Sequence, residues 1–118
     1  MAIPAKCVTV EEARALQDNW KKTREPEINR AIGSIDTREF FYSVAELEEY
    51  LTYVKEESKK QGITNPGVRI YFGAYNNAIS NKACVFIAPT NGSSKESVNN
   101  YSVAPFNLGS GGWPPINY

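Results

Sequence analysis

The fold is decided by two stretches of sequence, Val68-Arg-Ile-Tyr-Phe-Gly-Ala-Tyr75 and Ala83-Cys-Val-Phe-Ile-Ala-Pro-Thr90. Both stretches are rich in β-branched and aromatic residues, which favour strands. The break between them is polar and rich in asparagine, as is typical of a turn. The sequence therefore predicts a β-hairpin at the centre of the protein.

Alternation along the first strand of this hairpin assigns its side chains to two faces. Val68, Ile70, Phe72 and Ala74 share one face, while Arg69, Tyr71, Gly73 and Tyr75 share the other. We expect the aliphatic face to pack beneath a helix. The side chains predicted to form one fully buried cluster are Leu47, Leu51, Ile70, Phe72, Val85 and Ile87.

Helix-capping motifs mark the two main helices. Thr9-Val-Glu-Glu12 and Ser43-Val-Ala-Glu46 have the spacing of capping boxes. The first helix extends to about Lys22 or Thr23, and Pro26 ends or restarts it. A further helical turn follows from Glu27 to Ile32, closed by Gly33. The second main helix runs to Gln61, with Gly62 just beyond its end.

A strand is predicted from Asp36 to Tyr42, before the second main helix. If it lies parallel to the strand at 68–75, the connection between them is a right-handed crossover. Together the elements predict a single α+β domain over residues 1–118, with a mixed or antiparallel sheet of three to five strands. The two main helices are expected to pack mainly on one face of this sheet.

The C-terminal part of the chain lacks a helical or strand period. Residues 91–100 are polar and predict a loop, and Tyr101 to Val103 is a candidate short strand. The tail at 104–118 combines glycine and proline with aromatic residues that are costly to leave in water. We therefore expect an ordered tail that packs on the domain, beside Arg69, Tyr71 and Tyr75, or on a neighbouring subunit.

The order of these elements resembles a group of small uncharacterised bacterial proteins. The specific part of the resemblance is Gly67-Val-Arg-Ile-Tyr-Phe-Gly73, followed by an apolar strand and a tail with a Pro-Pro pair, here Pro114-Pro115. In that group the strand reads glycine, isoleucine or valine, arginine, one apolar or aromatic residue, and then Tyr-Phe-Gly. The resemblance supports the fold and implies no activity.

Composition limits the function classes. The chain has 13 basic and 13 acidic residues, which argues against a nucleic-acid partner or a membrane surface. The lack of histidine removes the usual general base and imidazole metal ligands. The sequence shows no export signal, which predicts a cytoplasmic protein with Cys7 and Cys84 unpaired. We expect no catalytic residues, no metal and no cofactor.

Three hypotheses of function remain open. The leading one is a non-enzymatic protein-interaction or self-assembling module, because the second half of the chain is poor in charge and rich in aromatic residues. The first alternative is a small-ligand-binding protein, and the second is an enzyme with cysteine or carboxylate chemistry. The candidate residues for binding a ligand or a partner are Arg69, Tyr71, Tyr75, Gly109, Ser110, Gly111, Gly112 and Trp113.

Overall fold

The computed structural model describes residues 2–107 and 110–118. These residues contain three α-helices and four short strands. The helices are α1 (Val10–Thr23), α2 (Glu25–Ile32) and α3 (Val44–Lys60). The strands are β1 (Phe40–Phe41), β2 (Val68–Ala74), β3 (Ala83–Pro89) and β4 (Ser110–Gly111). This content confirms the predicted α+β class. The chain forms two compact units, Met1–Asp36 with Trp113–Tyr118, and Thr37–Gly112.

The first unit contains α1 and α2, which contact each other. Thr9 caps α1, because its Oγ1 accepts a hydrogen bond from the Glu12 amide at 3.1 Å. Pro26 lies in the first turn of α2, where a proline is tolerated, so it restarts the helix as predicted. Gly33 ends α2 in the left-handed conformation, with φ of 77°.

The end of the tail belongs to this first unit. Trp113 Nε1 donates to the carbonyl of Ile35 at 2.9 Å, and the Tyr118 amide donates to Gln17 Oε1 at 3.2 Å. Both hydrogen bonds join the end of the tail to residues of the first unit. The aromatic residues of the tail had suggested packing, but they carry no signal that specifies the surface.

The predicted strand from Asp36 to Tyr42 is much shorter in the structure. Only Phe40 and Phe41 form a strand, and they pair antiparallel with β4. In the described residues β1 does not pair with β2, so the parallel strand and its right-handed crossover are absent there. The strand is thus shorter than predicted, and its partner differs from the one considered, because the aromatic residues indicate a strand but do not specify what it pairs with.

The helix α3 begins and ends where the sequence predicts. Ser43 Oγ accepts from the Glu46 amide at 3.0 Å, and Glu46 Oε1 accepts from the Ser43 amide at 3.2 Å, which completes the capping box. Gly62, with φ of 77°, follows the last turn and donates its amide to the Lys59 carbonyl.

The central hairpin is also confirmed. β2 and β3 pair antiparallel from Val68↔Pro89 to Ala74↔Ala83. Just before β2, a Cβ added at Gly67 would lie 2.8 Å from Thr90 Oγ1, so a side chain would not fit at this position. The far edge of β3 forms a bridge to Phe106, which adds a third segment to the sheet. The predicted strand at 101–103 is instead a turn that places Val103 in the core.

The core lies between α3 and β3. Its buried members are Tyr50, Val54, Ile87 and Val103, with Leu47 and Phe106 packed against them. The Tyr50 ring stacks on Phe106 at 4.7 Å between centroids. Its hydroxyl donates to the carbonyls of Ala104 at 2.9 Å and Ile87 at 3.2 Å.

The predicted buried cluster was partly wrong. Leu51 is 42% exposed, Ile70 68% and Phe72 78%, whereas Ile87 is buried. The reason is that α3 lies over β3 and turns Tyr50, rather than Leu51, toward the sheet. The β2 half of the same face consequently remains open.

The buried hydroxyl of Tyr50 predicts a loss of stability at high pH. Burial, and then the neighbouring Tyr53, raises the pKa of Tyr50 from 10.0 to about 12. Because the folded pKa lies above the unfolded one, this stability is complete below pH 10 and is lost as the pH rises toward 12, by up to about 2–3 kcal/mol. Between about pH 9 and pH 11 the free energy of unfolding should therefore fall less for Tyr50→Phe than for the wild type. Urea denaturation at both pH values measures the two changes. Equal losses in both proteins would contradict the assignment.

Candidate interaction surface

The outer edge of β2 presents backbone groups that point away from the hairpin. The Thr90 amide donates to the Gly67 carbonyl at 2.9 Å, and the Tyr75 amide donates to the Lys82 carbonyl at 3.0 Å. In an antiparallel ladder the residues alternate between the two edges of a strand. The peptide groups of Val68, Ile70 and Ala74 therefore point outward. Within residues 2–107 and 110–118, no strand pairs with this edge.

The outer edge of β3 is covered, in contrast to that of β2. Ile87 exchanges two backbone hydrogen bonds with Phe106, at 2.8 and 2.9 Å, and the Asn100 amide donates to the Pro89 carbonyl at 2.9 Å. Edge strands are usually protected by proline, lysine or a covering segment. The seven residues of β2 contain neither proline nor lysine, so β2 lacks the usual side-chain protection of an edge.

Exposed apolar side chains accompany this edge. On the face that α3 partly covers, Val68 is 39% exposed, Ile70 68% and Phe72 78%. Their partners Ile87 and Val85 on β3 are better covered, and Ile87 packs in the core with Tyr50 and Val54 of α3. The sheet face is thus half open, and the open half is the one next to the outer edge.

The helix α3 adds two more apolar side chains on the same side. Successive helical residues are about 100° apart, so Tyr53 and Leu51 lie on opposite sides of Tyr50. Tyr53 accepts a hydrogen bond from the Ala104 amide, on the side of the segment that covers the edge of β3. Leu51 therefore lies on the β2 side, and so does Val44, seven residues earlier and within about 20° of it.

We call this combined region the β2 surface. It consists of the outward backbone edge of β2 and the exposed side chains of Val44, Leu51, Val68, Ile70 and Phe72. Exposed apolar patches of this kind are typical of protein interaction sites. The backbone edge can accept an additional strand, and the side chains beside it can be buried by the same partner.

The opposite face of β2 is occupied by the protein's own loop. Arg69 donates to the carbonyls of Lys95 and Ser97, each at 2.6 Å, and to Asn99 Oδ1 at 2.8 Å. Asn99 in turn donates to the Tyr71 hydroxyl at 2.8 Å. The carbonyls that Arg69 binds belong to the 91–100 loop. Its guanidinium therefore positions this loop.

The other predicted site residues are placed elsewhere. The hydroxyl of Tyr75 accepts from Asn107 Nδ2 at 3.4 Å. Ser110 and Gly111 form β4, and the Gly112 amide donates to the Glu39 carbonyl at 2.9 Å. Gly109 lies outside the described residues. Arg69 and Tyr71 are thus brought together. Ser110, Gly111 and Gly112 instead contribute to the antiparallel pairing of β4 with β1.

A cavity of about 350 Å³ lies beside Tyr71. Tyr71 stacks on Phe86 at 5.1 Å between ring centroids, so the cavity has an aromatic wall. The polar part of its lining is supplied by Asn99 and Asn100, and its outer rim by Tyr101, which is 92% exposed. The remaining lining is Ala88, Pro89, Val103 and Pro105.

Features for catalysis are sparse in the described part of the chain. Cys7 is exposed, Cys84 is half-buried in β3, and neither forms a disulfide. No group of three or more cysteine or acidic side chains is positioned to hold a metal among the residues that were described. Within the same residues, no helix is both long enough and apolar enough to cross a bilayer.

Sequence reasoning missed two residues that shape these surfaces. Asn99 links Arg69 to Tyr71, and Phe106 covers the edge of β3. Only the apolar character of Phe106 and the polar character of the loop were visible in the sequence. Comparison with known proteins finds no matching family model, curated protein or solved structure. The resemblance to the uncharacterised bacterial group stays a prediction.

Proposed function

We propose that this protein is a self-associating interaction module that uses the β2 surface. The observation that carries the proposal is the outward edge of β2, whose backbone groups at Val68 and Ile70 have no strand partner in the described chain. Strand addition at such an edge supplies backbone hydrogen bonds, and the exposed apolar side chains supply burial.

The charge distribution favours a second copy of this chain as the partner. The only charged residue of β2 is Arg69, and its guanidinium is held on the opposite face by the loop. Two β2 strands can therefore approach edge to edge without facing like charges. The formal net charge of zero also avoids repulsion between whole copies.

A change at Ile70 tests the proposal. Ile70→Lys should leave the monomer folded, because the side chain is already 68% exposed. It should weaken a symmetric dimer by about 2–4 kcal/mol, or about 30-fold to 1000-fold in dissociation constant, since two apolar contacts are lost. Sedimentation equilibrium and native mass spectrometry, from micromolar to millimolar protein, measure this change.

Ile79→Lys is the matched control, because Ile79 is 96% exposed in the hairpin connection, outside β2. It should associate like the wild type. A wild-type protein that stays monomeric over the whole concentration range would refute self-association. If Ile70→Lys and the wild type associate equally, the interface between the copies does not include β2.

A second candidate function is the binding of a small planar ligand in the cavity beside Tyr71. Its support is the aromatic wall of Tyr71 and Phe86 together with the amides of Asn99 and Asn100. The lining contains no charged side chain among the described residues, which favours a neutral ligand. In the same native mass spectra, a retained small molecule that is lost in Tyr101→Ala would support this function over the first.

A further inference from the structure

We infer that the cavity beside Tyr71 binds an uncharged, proline-rich peptide segment in the extended polyproline conformation. Side chains alternate along β2, so the cavity lies on the face of the strand opposite Ile70 and does not require self-association. A peptide segment takes the place of the free small ligand considered above for the same cavity. All of the lining residues belong to the compact unit Thr37–Gly112.

The wall of the cavity is a pair of stacked aromatic rings. Tyr71 and Phe86 lie directly opposite each other in the β2–β3 ladder, with 17° between their ring planes. Tyr101 stands at the rim, and Pro89 and Pro105 add two more apolar rings to the lining. Grooves lined by aromatic rings recognise polyproline segments, which are already extended and lose little conformational freedom on binding.

The two asparagine side chains of the lining have their oxygen atoms in use. Asn99 Oδ1 accepts from Arg69, and Asn99 Nδ2 donates to the Tyr71 hydroxyl, each at 2.8 Å. Asn100 Oδ1 accepts from the Ser102 amide at 3.1 Å, and its Nδ2 donates to the glutamine that ends α3 at 2.9 Å. Each side-chain nitrogen carries two N–H groups, so each asparagine keeps one N–H for a ligand.

The cavity therefore offers donors to a ligand. Besides the two asparagine N–H groups, Tyr71 has a hydroxyl proton that no hydrogen bond within the described residues uses, because its oxygen acts there as an acceptor. A polyproline segment complements these donors, since proline has no backbone N–H and its carbonyls make no internal hydrogen bonds. Among the described residues the lining has no charged side chain, which favours an uncharged segment.

Titration of the full chain with acetylated decaproline amide tests this assignment. At a protein concentration at which the chain is monomeric, proton–nitrogen correlation NMR should show saturable shifts of the side-chain N–H signals of Asn99 and Asn100. Saturation is expected with a Kd below about 1 mM. The backbone amide of Ile79, in the hairpin connection, should not shift. A Gly-Ser peptide of the same length is the control ligand, because it is uncharged but flexible, and it should not bind.

Variants of the lining locate the peptide. Tyr101→Ala should fold, because the side chain is 92% exposed, and should weaken decaproline binding at least about tenfold through the lost ring contact. Tyr71→Phe keeps the stacked ring but removes the hydroxyl donor, so it should weaken binding about twofold to tenfold. Tyr118→Ala is the matched control, since Tyr118 is also exposed but is not among the residues that line the cavity.

Three results would overturn the assignment. The first is that decaproline and the Gly-Ser peptide shift the asparagine signals equally, or that neither shifts them. The second is a small molecule retained in native mass spectra that decaproline does not displace, which makes the occupant a free ligand. The third is a shift of the asparagine signals with protein concentration alone that disappears in a Pro114→Ala, Pro115→Ala chain, which makes the occupant the tail of a second copy.

The decaproline titration and the association measurements fail separately. A chain that stays monomeric in sedimentation equilibrium refutes self-association and leaves the decaproline titration unaffected. A monomer that does not bind decaproline refutes the peptide site and leaves the association through β2 standing.

Discussion

Replacing Tyr50 with alanine should lower the free energy of unfolding by about 3–5 kcal/mol, the usual range for removing a buried aromatic side chain. The Tyr50 side chain is 6% exposed and belongs to the core cluster with Val54, Ile87 and Val103. The substitution removes its stacking on Phe106 and leaves a cavity beneath α3. It also leaves the carbonyls of Ala104 and Ile87 without their hydroxyl donor. Urea denaturation followed by circular dichroism measures the change.

Two further variants separate the contribution of the Tyr50 ring from that of its hydroxyl and from that of its neighbour. Tyr50→Phe keeps the ring and should lose only about 1–2 kcal/mol, the contribution of the hydroxyl hydrogen bonds. Tyr53→Ala is the neighbouring control, because Tyr53 is 37% exposed and lies at the edge of the core. An equal loss for Tyr50→Ala and Tyr53→Ala would show that α3 does not pack through Tyr50.

Replacing Arg69 with alanine should cost about 2–4 kcal/mol and release the loop at 91–100. The guanidinium makes hydrogen bonds to Lys95, Ser97 and Asn99, and a hydrogen bond to a charged group contributes a net of about 1.5–3 kcal/mol, although the contributions of neighbouring bonds do not simply add. Arg69→Lys should recover only part of the loss, because one ammonium group cannot reproduce the planar fork. Denaturation measures the stability, and limited proteolysis in the loop measures its release.

Arg30→Ala is the matched control for this prediction. Arg30 also pairs with an acceptor, Glu27, but both side chains are largely exposed on α2. Exposed ion pairs contribute between zero and about 1 kcal/mol. If Arg69→Ala were no more destabilising than Arg30→Ala, and the loop stayed resistant to protease, Arg69 would not position the loop.

Local signals predicted the parts of the fold that depend on neighbouring residues. The capping residues Thr9 and Ser43, and the glycines Gly33 and Gly62, act within one helical turn, so the sequence identifies them directly. The hairpin was also predictable, because its two strands and the connection between them are contiguous. The helix bounds and the pairing of β2 with β3 therefore agree with the sequence.

The orientation of the elements could not be predicted in the same way. Tyr50 and Leu51 are adjacent and both apolar, so the sequence alone does not decide which of them faces the sheet. Both faces of β2 carry large apolar or aromatic side chains, so the pattern of the strand did not show that Ile70 and Phe72 remain largely exposed. The partners of Arg69 and the covering of β3 by Phe106 depend on residues about 20–30 positions away, for which the sequence carries no local signal.

Amide hydrogen exchange at Ile70 tests the central claim most directly. The Ile70 amide points outward from β2, so in a dilute monomer it should exchange rapidly, while the amide of Tyr71, which faces β3, is protected. At millimolar protein, where copies associate, the account predicts that exchange at Val68 and Ile70 slows while exchange at Ile79 is unchanged. Exchange at Ile70 that is independent of protein concentration, in a sample whose mass shows association, would contradict the account.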